Sequence, residues 1–225
     1  MNKQEQYEIE IKCLLGSREN ADRLAKKMKE VDPALQEIGS HRQLNHYFEG
    51  KGNFEAVAQV LGDETARKTF IELAEKAKDF SLRTRDADGT ILLVLKASID
   101  DTTSANGTAR REFEEKVSMT LDELDKAILT AGFTYQSKWS RERTEYKFSG
   151  ANVTIDRNAG YGYLAEFESV ESDPTLADAT KARLRDLMKS VGAEELNQDR
   201  LARMFAFYNA HWPEYYGTEK VFTVE

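Results

Sequence analysis

Tyr7-Glu8-Ile9-Glu10-Ile11-Lys12-Cys13-Leu14 alternates without a break. Successive side chains of a β-strand point to opposite sides, so Glu8, Glu10 and Lys12 share one face and Tyr7, Ile9, Ile11 and Cys13 the other. The apolar face requires a core. The polar face either meets solvent, as in any amphipathic strand, or brings two carboxylates within reach of one cation. The rest of the chain decides which.

Further strands carry the same pattern. Segment 35–49 sets Gln43, Asn45, Tyr47 and Glu49 against Leu44, His46 and Phe48. Segments 80–85 and 91–98 meet across Asp86-Ala-Asp-Gly89, a hairpin turn signal. Segment 109–119 sets Arg110, Glu112 and Glu114 against Phe113 and Val117. Segments 133–148 and 151–157 flank Ser149-Gly150, and 163–170 sets Leu164, Glu166 and Glu168 against Tyr163, Ala165 and Phe167. Helices are expected at 18–30 behind the N-cap Ser17, and from the capping box Thr120-Leu-Asp-Glu123 to Gly132. Further helices are expected at 174–191 and 198–209, with the aromatic tail 211–216 packing back on the body. Between strands, 53–61 and 63–78 read as two short helices, an insertion too small to hold a core alone. The expected architecture is α+β: a closed, antiparallel eight-stranded β-barrel with flanking helices. A single domain would cover 1–225, with the helical insertion at 50–79 docked outside, dispensable for folding, and a C-terminal helical segment at 174–225.

Composition narrows the function. A net charge of −8 with 32% charged residues gives no general attraction to nucleic acid or acidic membranes. A bound anion must therefore be met by a local basic cluster. The single cysteine, Cys13, excludes an internal disulfide and a cysteine-cluster metal site. No run of apolar residues approaches the ~20 that span a bilayer, and no signal segment opens the chain, so a cytoplasmic location is expected.

The charges that recur two residues apart share a strand face. They are Glu8, Glu10 and Lys12; Arg83 and Arg85; Lys96; Arg110, Glu112 and Glu114; Arg141 and Arg143; Asp156; and Glu166 and Glu168. Carboxylates alone point to a hard cation, and guanidinium and ammonium groups alone to phosphates. Together they point to a polyphosphate bridged to metal. The competing reading is a surface of cross-strand salt bridges. His41, His46 and His211 show no ligand spacing, and no base-recognising element stands out.

The set resembles the CYTH superfamily, the triphosphate tunnel metalloenzymes. Glu8, Glu10 and Lys12 match its Glu-x-Glu-x-Lys hallmark. Leu82-Arg83-Thr-Arg85, Leu93-Val-Leu-Lys96, Arg110-Arg-Glu112-Phe-Glu114, Arg141-Glu-Arg143-Thr-Glu-Tyr146 and Val153-Thr-Ile-Asp156 with Glu166-Phe-Glu168 look like its later elements. Asn45 departs from an acidic residue common at that position, and Arg200-Leu-Ala-Arg203 is similar to a basic closing helix. The resemblance implies Mg²⁺ or Mn²⁺ held by Glu8, Glu10 and Glu168, with Asp156 and Glu166 as further acidic candidates. It implies a small-molecule triphosphate bound by Lys12, Arg83, Arg85, Lys96, Arg110, Arg141, Arg143 and Arg200. Glu112 and Glu114, with Lys12, are the catalytic candidates. Two reactions fit: hydrolysis of an inorganic or organic triphosphate, and cyclisation of ATP to cyclic AMP and pyrophosphate. The count of carboxylates favours hydrolysis. A homodimer is left open.

Overall fold

The computed structural model describes residues 7–98 and 111–224. Its strands are β1 (Tyr7–Gly16), β2 (Gln36–Glu49), β3 (Asp79–Ala87), β4 (Thr90–Ser98), β5 (Arg111–Lys116), β6 (Thr134–Phe148), β7 (Ala151–Asn158) and β8 (Gly162–Glu171). The helices are α1 (Arg18–Val31), α2 (Phe54–Ala58), α3 (Glu64–Lys76), α4 (Leu121–Thr130), α5 (Ala177–Ser190) and α6 (Gln198–Tyr215). The expected turn signals are the ones used. Asp88 and Gly89, at φ 49° and 85°, make the two-residue turn between β3 and β4. Ser17 caps α1, and Thr120 with Glu123 forms the full capping box of α4, contacts worth about 1 kcal/mol each.

All the ladders are antiparallel, in the order β1-β8-β7-β6-β2-β3-β4-β5. Every strand contributes to the lining of one cavity of about 1350 Å³. The expected closed barrel needs a correction. Among the described residues the ladder is open between β1 and β5, and ion pairs span the gap instead. Lys96 of β4 reaches Glu8 of β1 at 2.6 Å and Glu112 of β5 at 3.1 Å. The described part of β5 has six residues against ten in β1, so it cannot ladder that whole edge, and inward side chains fill the space.

Apolar strand faces point outward under the helices. Ile9, Ile11, Ala165 and Phe167 pack with Leu24 and Met28 of α1 and Leu184 and Met188 of α5. Leu82, Leu93, Leu95 and Phe113 pack with Phe70 and Leu73 of α3 and Leu124 and Ile128 of α4. The helical pair is therefore no detachable ornament: Phe70 is fully buried in the same core as β3, β4 and β5. Its apolar stripe supplies one layer of that core, and truncating Phe70 to Ala would cost about 3–5 kcal/mol. The aromatic tail does pack back, but as helix: α6 continues to Tyr215, past Pro213. Tertiary contacts of that last turn, including Tyr216 Oη to His46 Nε2 at 2.8 Å, outweigh the local cost of the proline.

Candidate active site: a charged tunnel

The inward faces sort by sign. β1 and β8 carry Glu8, Glu10, Glu166 and Glu168, with Lys12; β3 and β6 carry Arg83, Arg85, Arg141 and Arg143. Register places Glu10 opposite Glu168 and Lys12 opposite Glu166. The four carboxylates line one cavity, and Glu8, Glu10 and Glu166 are each paired there with a lysine or an arginine.

Each basic group is held by short contacts. Lys12 donates to Glu10 Oε1 at 2.7 Å and Glu166 Oε1 at 2.8 Å. Arg143 grips both oxygens of Asp156, at 2.7 and 2.6 Å, and also Glu166 Oε2 at 2.7 Å. Arg141 donates to Gln43 Oε1 at 2.7 Å and to Asp156 Oδ2 at 3.2 Å. Arg85 donates to Asn45 Oδ1 at 2.8 Å and to Glu114 Oε2 at 2.5 Å. Arg83 has no carboxylate at ion-pair distance among the described residues. Ser81 Oγ accepts from its Nε at 2.9 Å, and its guanidinium lies 4.5 Å from the centroid of the Tyr47 ring. Arg83 is thus the cation most open to a phosphate.

The titration pattern follows from this geometry. Burial pushes the Glu8 carboxyl up to about 8, reinforced by its hydrogen bond to Glu112 and by the Glu112 and Glu168 charges. Glu168 is also raised by burial, with Glu10 and Glu166 adding to it. Burial opposes ionisation of Glu112 too, yet Lys96, the Glu8 hydrogen bond and Arg83 hold it down to about 2. Lys12 draws Glu10 below its ordinary range. Lys12 itself is raised by Glu10 and Glu166 despite its burial, so it stays charged. Glu8 and Glu168 are therefore the carboxylates whose charged form is least favoured. Among the guanidinium groups it is Arg141, lowered by burial and by the neighbouring Arg143, while Arg83 is raised despite its burial by Tyr47, Glu112, Glu10 and Glu166.

A domain model for the CYTH domain matches residues 6–201. The chain belongs to the CYTH family. Solved structures agree on the fold. A conserved hypothetical protein from Pyrococcus furiosus aligns with a TM-score of 0.61 and 18% identity, over 84% of this chain and 92% of that one. A proposed adenylate cyclase from Vibrio parahaemolyticus aligns at 0.57 and 17%, over 89% and 99%. A proposed adenylyl cyclase from Hippeastrum, described as having a dominant triphosphatase activity, aligns at 0.51 and 18%, over 89% and 96%. No curated protein sequence gives a significant match. Among the described residues, no helix is long and apolar enough to cross a membrane.

Most of the residues expected from sequence line the CYTH tunnel: Glu8, Glu10, Lys12, Arg83, Arg85, Lys96, Glu112, Glu114, Arg141, Arg143, Glu166 and Glu168. Arg110 lies outside the described residues. Asp156 is buried behind Arg141 and Arg143, both its oxygens taken by guanidinium groups, so it holds arginines and is not placed to hold a metal. Arg200 needs a plain correction. It is not among the residues that line the tunnel; its Nε donates to the Val224 carbonyl at 3.1 Å, tying Val224 to α6. Sequence reasoning missed the roles of Gln43, Asn45, Tyr47 and Ser81 as supports for arginines. Alternation had put Gln43, Asn45 and Tyr47 on one face, which was the available signal. Asn45, where an acidic residue is common, orients Arg85 through a neutral acceptor.

Proposed function

We propose that this protein hydrolyses a triphosphate inside the tunnel with the help of Mg²⁺ or Mn²⁺. The supporting observation is one cavity lined by facing acidic and basic walls, with Arg83 outside ion-pair distance of every carboxylate among the described residues and the Glu8 and Glu168 carboxyls pushed up by burial and by neighbouring carboxylates. A polyanion meets the first need and a hard cation the second.

The donor set fits such a cation. Glu8, Glu10 and Glu168 offer carboxylate oxygens, the ligand type that Mg²⁺ and Mn²⁺ prefer. Among the described residues no three acidic or imidazole groups stand in ready ligand geometry, because Lys12 and Lys96 occupy Glu10 and Glu8. An arriving triphosphate offers those lysines phosphate oxygens in exchange, which releases the carboxylates. Substrate and metal sites are thereby coupled. The bound metal would supply charge neutralisation at the phosphate oxygens.

Arg83, Arg85, Arg141 and Arg143 orient the phosphates and stabilise charge as the terminal anhydride bond breaks. Glu114 is the more accessible of the two catalytic candidates, its side chain 39% exposed against 18% for Glu112. A water beside it can pass its proton to the carboxylate as its oxygen attacks the terminal phosphorus. Orthophosphate and the shortened substrate leave. Glu112, held strongly ionised, is a poor base and serves to fix Lys96.

Cyclisation of ATP uses the same phosphate-binding set and differs in the nucleophile. Purified protein incubated with inorganic triphosphate, thiamine triphosphate or ATP, with Mg²⁺ or Mn²⁺, decides by products. Orthophosphate release is expected. Cyclic AMP and pyrophosphate from ATP, with no orthophosphate, would replace hydrolysis by cyclisation.

A further inference from the structure

Outside the tunnel, the fold buries a carboxylate that the proposed reaction does not use. Asp125 of α4 lies behind β2 and β3, buried together with His46 and Thr84. Thr84 Oγ1 donates to its Oδ1 at 2.6 Å, and His46 Nδ1 and Tyr135 Oη reach its Oδ2, both at 2.6 Å. An ionised carboxylate only accepts, so Nδ1 of His46 is the donor in that pair. A buried charged cluster is a weak device for stability, since packed hydrocarbon often does as well.

Its place in the ladder supplies a stronger reason. β2 and β3 set Asn45 opposite Arg85, His46 opposite Thr84 and Tyr47 opposite Arg83. Side chains alternate, so the outward rung of His46 and Thr84 lies between two inward rungs that each carry an arginine. The inward partners are the groups that hold those arginines. Asn45 Oδ1 accepts from Arg85 Nε at 2.8 Å, and the Arg83 guanidinium lies 4.5 Å from the centroid of the Tyr47 ring. Asp125 takes Thr84 with one oxygen and His46 with the other. One group thus clips both strands at the rung between the two arginines.

The clip is fixed in turn. Leu124 and Ile128, on either side of Asp125 in α4, are fully buried in the core of β3, β4 and β5. Backbone ladders set the spacing of two strands but leave their relative twist a range of about 25°. An arginine is a long lever, so a small change of twist moves its guanidinium much further than its Cα. A misplacement of about 1 Å in a site can cost on the order of 100-fold.

We propose that Asp125 is a positioning residue for the triphosphate site, fixing through His46 and Thr84 the spacing at which Arg83 and Arg85 meet phosphate oxygens. It touches no substrate. The inference rests on the triphosphate reading above and adds to it a group outside the tunnel.

The test titrates inorganic triphosphate by calorimetry in excess chelator, where the proposed metal-dependent turnover is suppressed. Thr84→Val removes the hydroxyl and keeps the shape, whereas Thr84→Ser keeps the hydroxyl and loses a methyl group. Met188→Ala, in the core behind the acidic wall, is the control for lost stability alone. Each variant is first checked for folding by circular dichroism, with its Tm. Affinity is expected to fall about 10-fold in Thr84→Val and to stay within about twofold of wild type in Thr84→Ser and Met188→Ala. Combined with Arg85→Ala, Thr84→Val should cost less than it does alone, because part of its effect passes through that guanidinium. If Thr84→Val does not fold, His46→Leu against His46→Asn makes the same comparison from β2, the new carboxamide standing in for Nδ1. Unchanged affinity in Thr84→Val overturns the proposal, as does equal loss in Met188→Ala or full additivity with Arg85→Ala. In each of these cases binding by the wild type leaves the triphosphate reading standing. Wild type that does not bind inorganic triphosphate overturns both.

Discussion

The acidic and basic walls of the tunnel stand on different foundations. Behind Glu8, Glu10, Glu166 and Glu168, the reverse faces of β1 and β8 are hydrocarbon: Ile9, Ile11, Ala165 and Phe167. Behind Asn45, Tyr47, Arg83 and Arg85, the reverse faces of β2 and β3 offer His46 and Thr84, and both bond to the buried carboxylate of Asp125 on α4. Asp125 accepts from Thr84 Oγ1 at 2.6 Å and from Tyr135 Oη at 2.6 Å, and pairs with His46 Nδ1 at 2.6 Å. Lys138 Nζ lies 3.8 Å away. The Asp125 cluster ties β2, β3 and β6 to α4 through polar bonds, while the groups that favour the guanidinium charges lie inside the tunnel: Glu10, Glu112, Asp156 and Glu166. Hydrocarbon behind the acidic wall offers no polar partner, so Glu8 and Glu168 are satisfied from the tunnel side alone. In the proposed reading a cation meets them there.

That contrast breaks most visibly when the cation is withheld. Triphosphate hydrolysis is expected to vanish in excess chelator and to return with Mg²⁺ or Mn²⁺. Full turnover in chelator would mean that the acidic wall serves only to hold Lys12 and Lys96.

Next in size come the groups on the basic side. Replacing Glu114 with Gln removes the proposed proton acceptor and keeps its shape. We expect kcat to fall about 100-fold or more, with a much smaller change in substrate affinity. Equal loss in both would place Glu114 in ground-state binding through Arg85. Arg85→Ala removes a charge-assisted contact worth roughly 1.5–3 kcal/mol, so binding of inorganic triphosphate should weaken about 10- to 150-fold. Isothermal titration of the two variants separates these outcomes.

How much of this was readable from sequence follows the same division. Alternation within single strands exposed both walls, because a charge at i and i+2 is a local fact. The order of the strands was not local, and neither was closure: the described part of β5 is short, and Lys96 bridges to Glu8 across a span no sequence window covers. The Asp125 cluster was invisible for the same reason. His46 alternates as a core residue and Asp125 sits in a helix, and only folding brings them to 2.6 Å. Arg200 misled because a basic helix has a solvent side and a tunnel side. Leu201, Ala202 and Phe205 took the latter.

The support behind the basic wall can be tested through stability. Burial opposes ionisation of Asp125, but hydrogen bonds from His46, Thr84 and Tyr135 keep its carboxyl below the ordinary carboxylate range. A lowered carboxyl contributes stability above its unfolded value of 3.8 and loses it as pH falls through the folded one. Asp125→Asn should therefore cost about 2–3 kcal/mol near neutral pH. The gap in Tm between wild type and variant should narrow below about pH 4. A gap constant with pH would mean that packing, and not charge, is what Asp125 supplies.

The smallest effect is expected at Arg200, and it fixes where the basic wall ends. Its Nε is committed to the Val224 carbonyl, away from the cavity. Arg200→Ala removes one hydrogen bond from the C-terminal tail and none from a phosphate. Stability should drop by about 1 kcal/mol, a shift in Tm of a few degrees at most for a chain this size. Affinity for inorganic triphosphate should change less than about twofold, since the residue adds only a distant, solvent-screened charge. Loss approaching that of Arg85→Ala would show that α6 swings this guanidinium into the tunnel when substrate arrives, and the basic wall would then extend beyond the sheet.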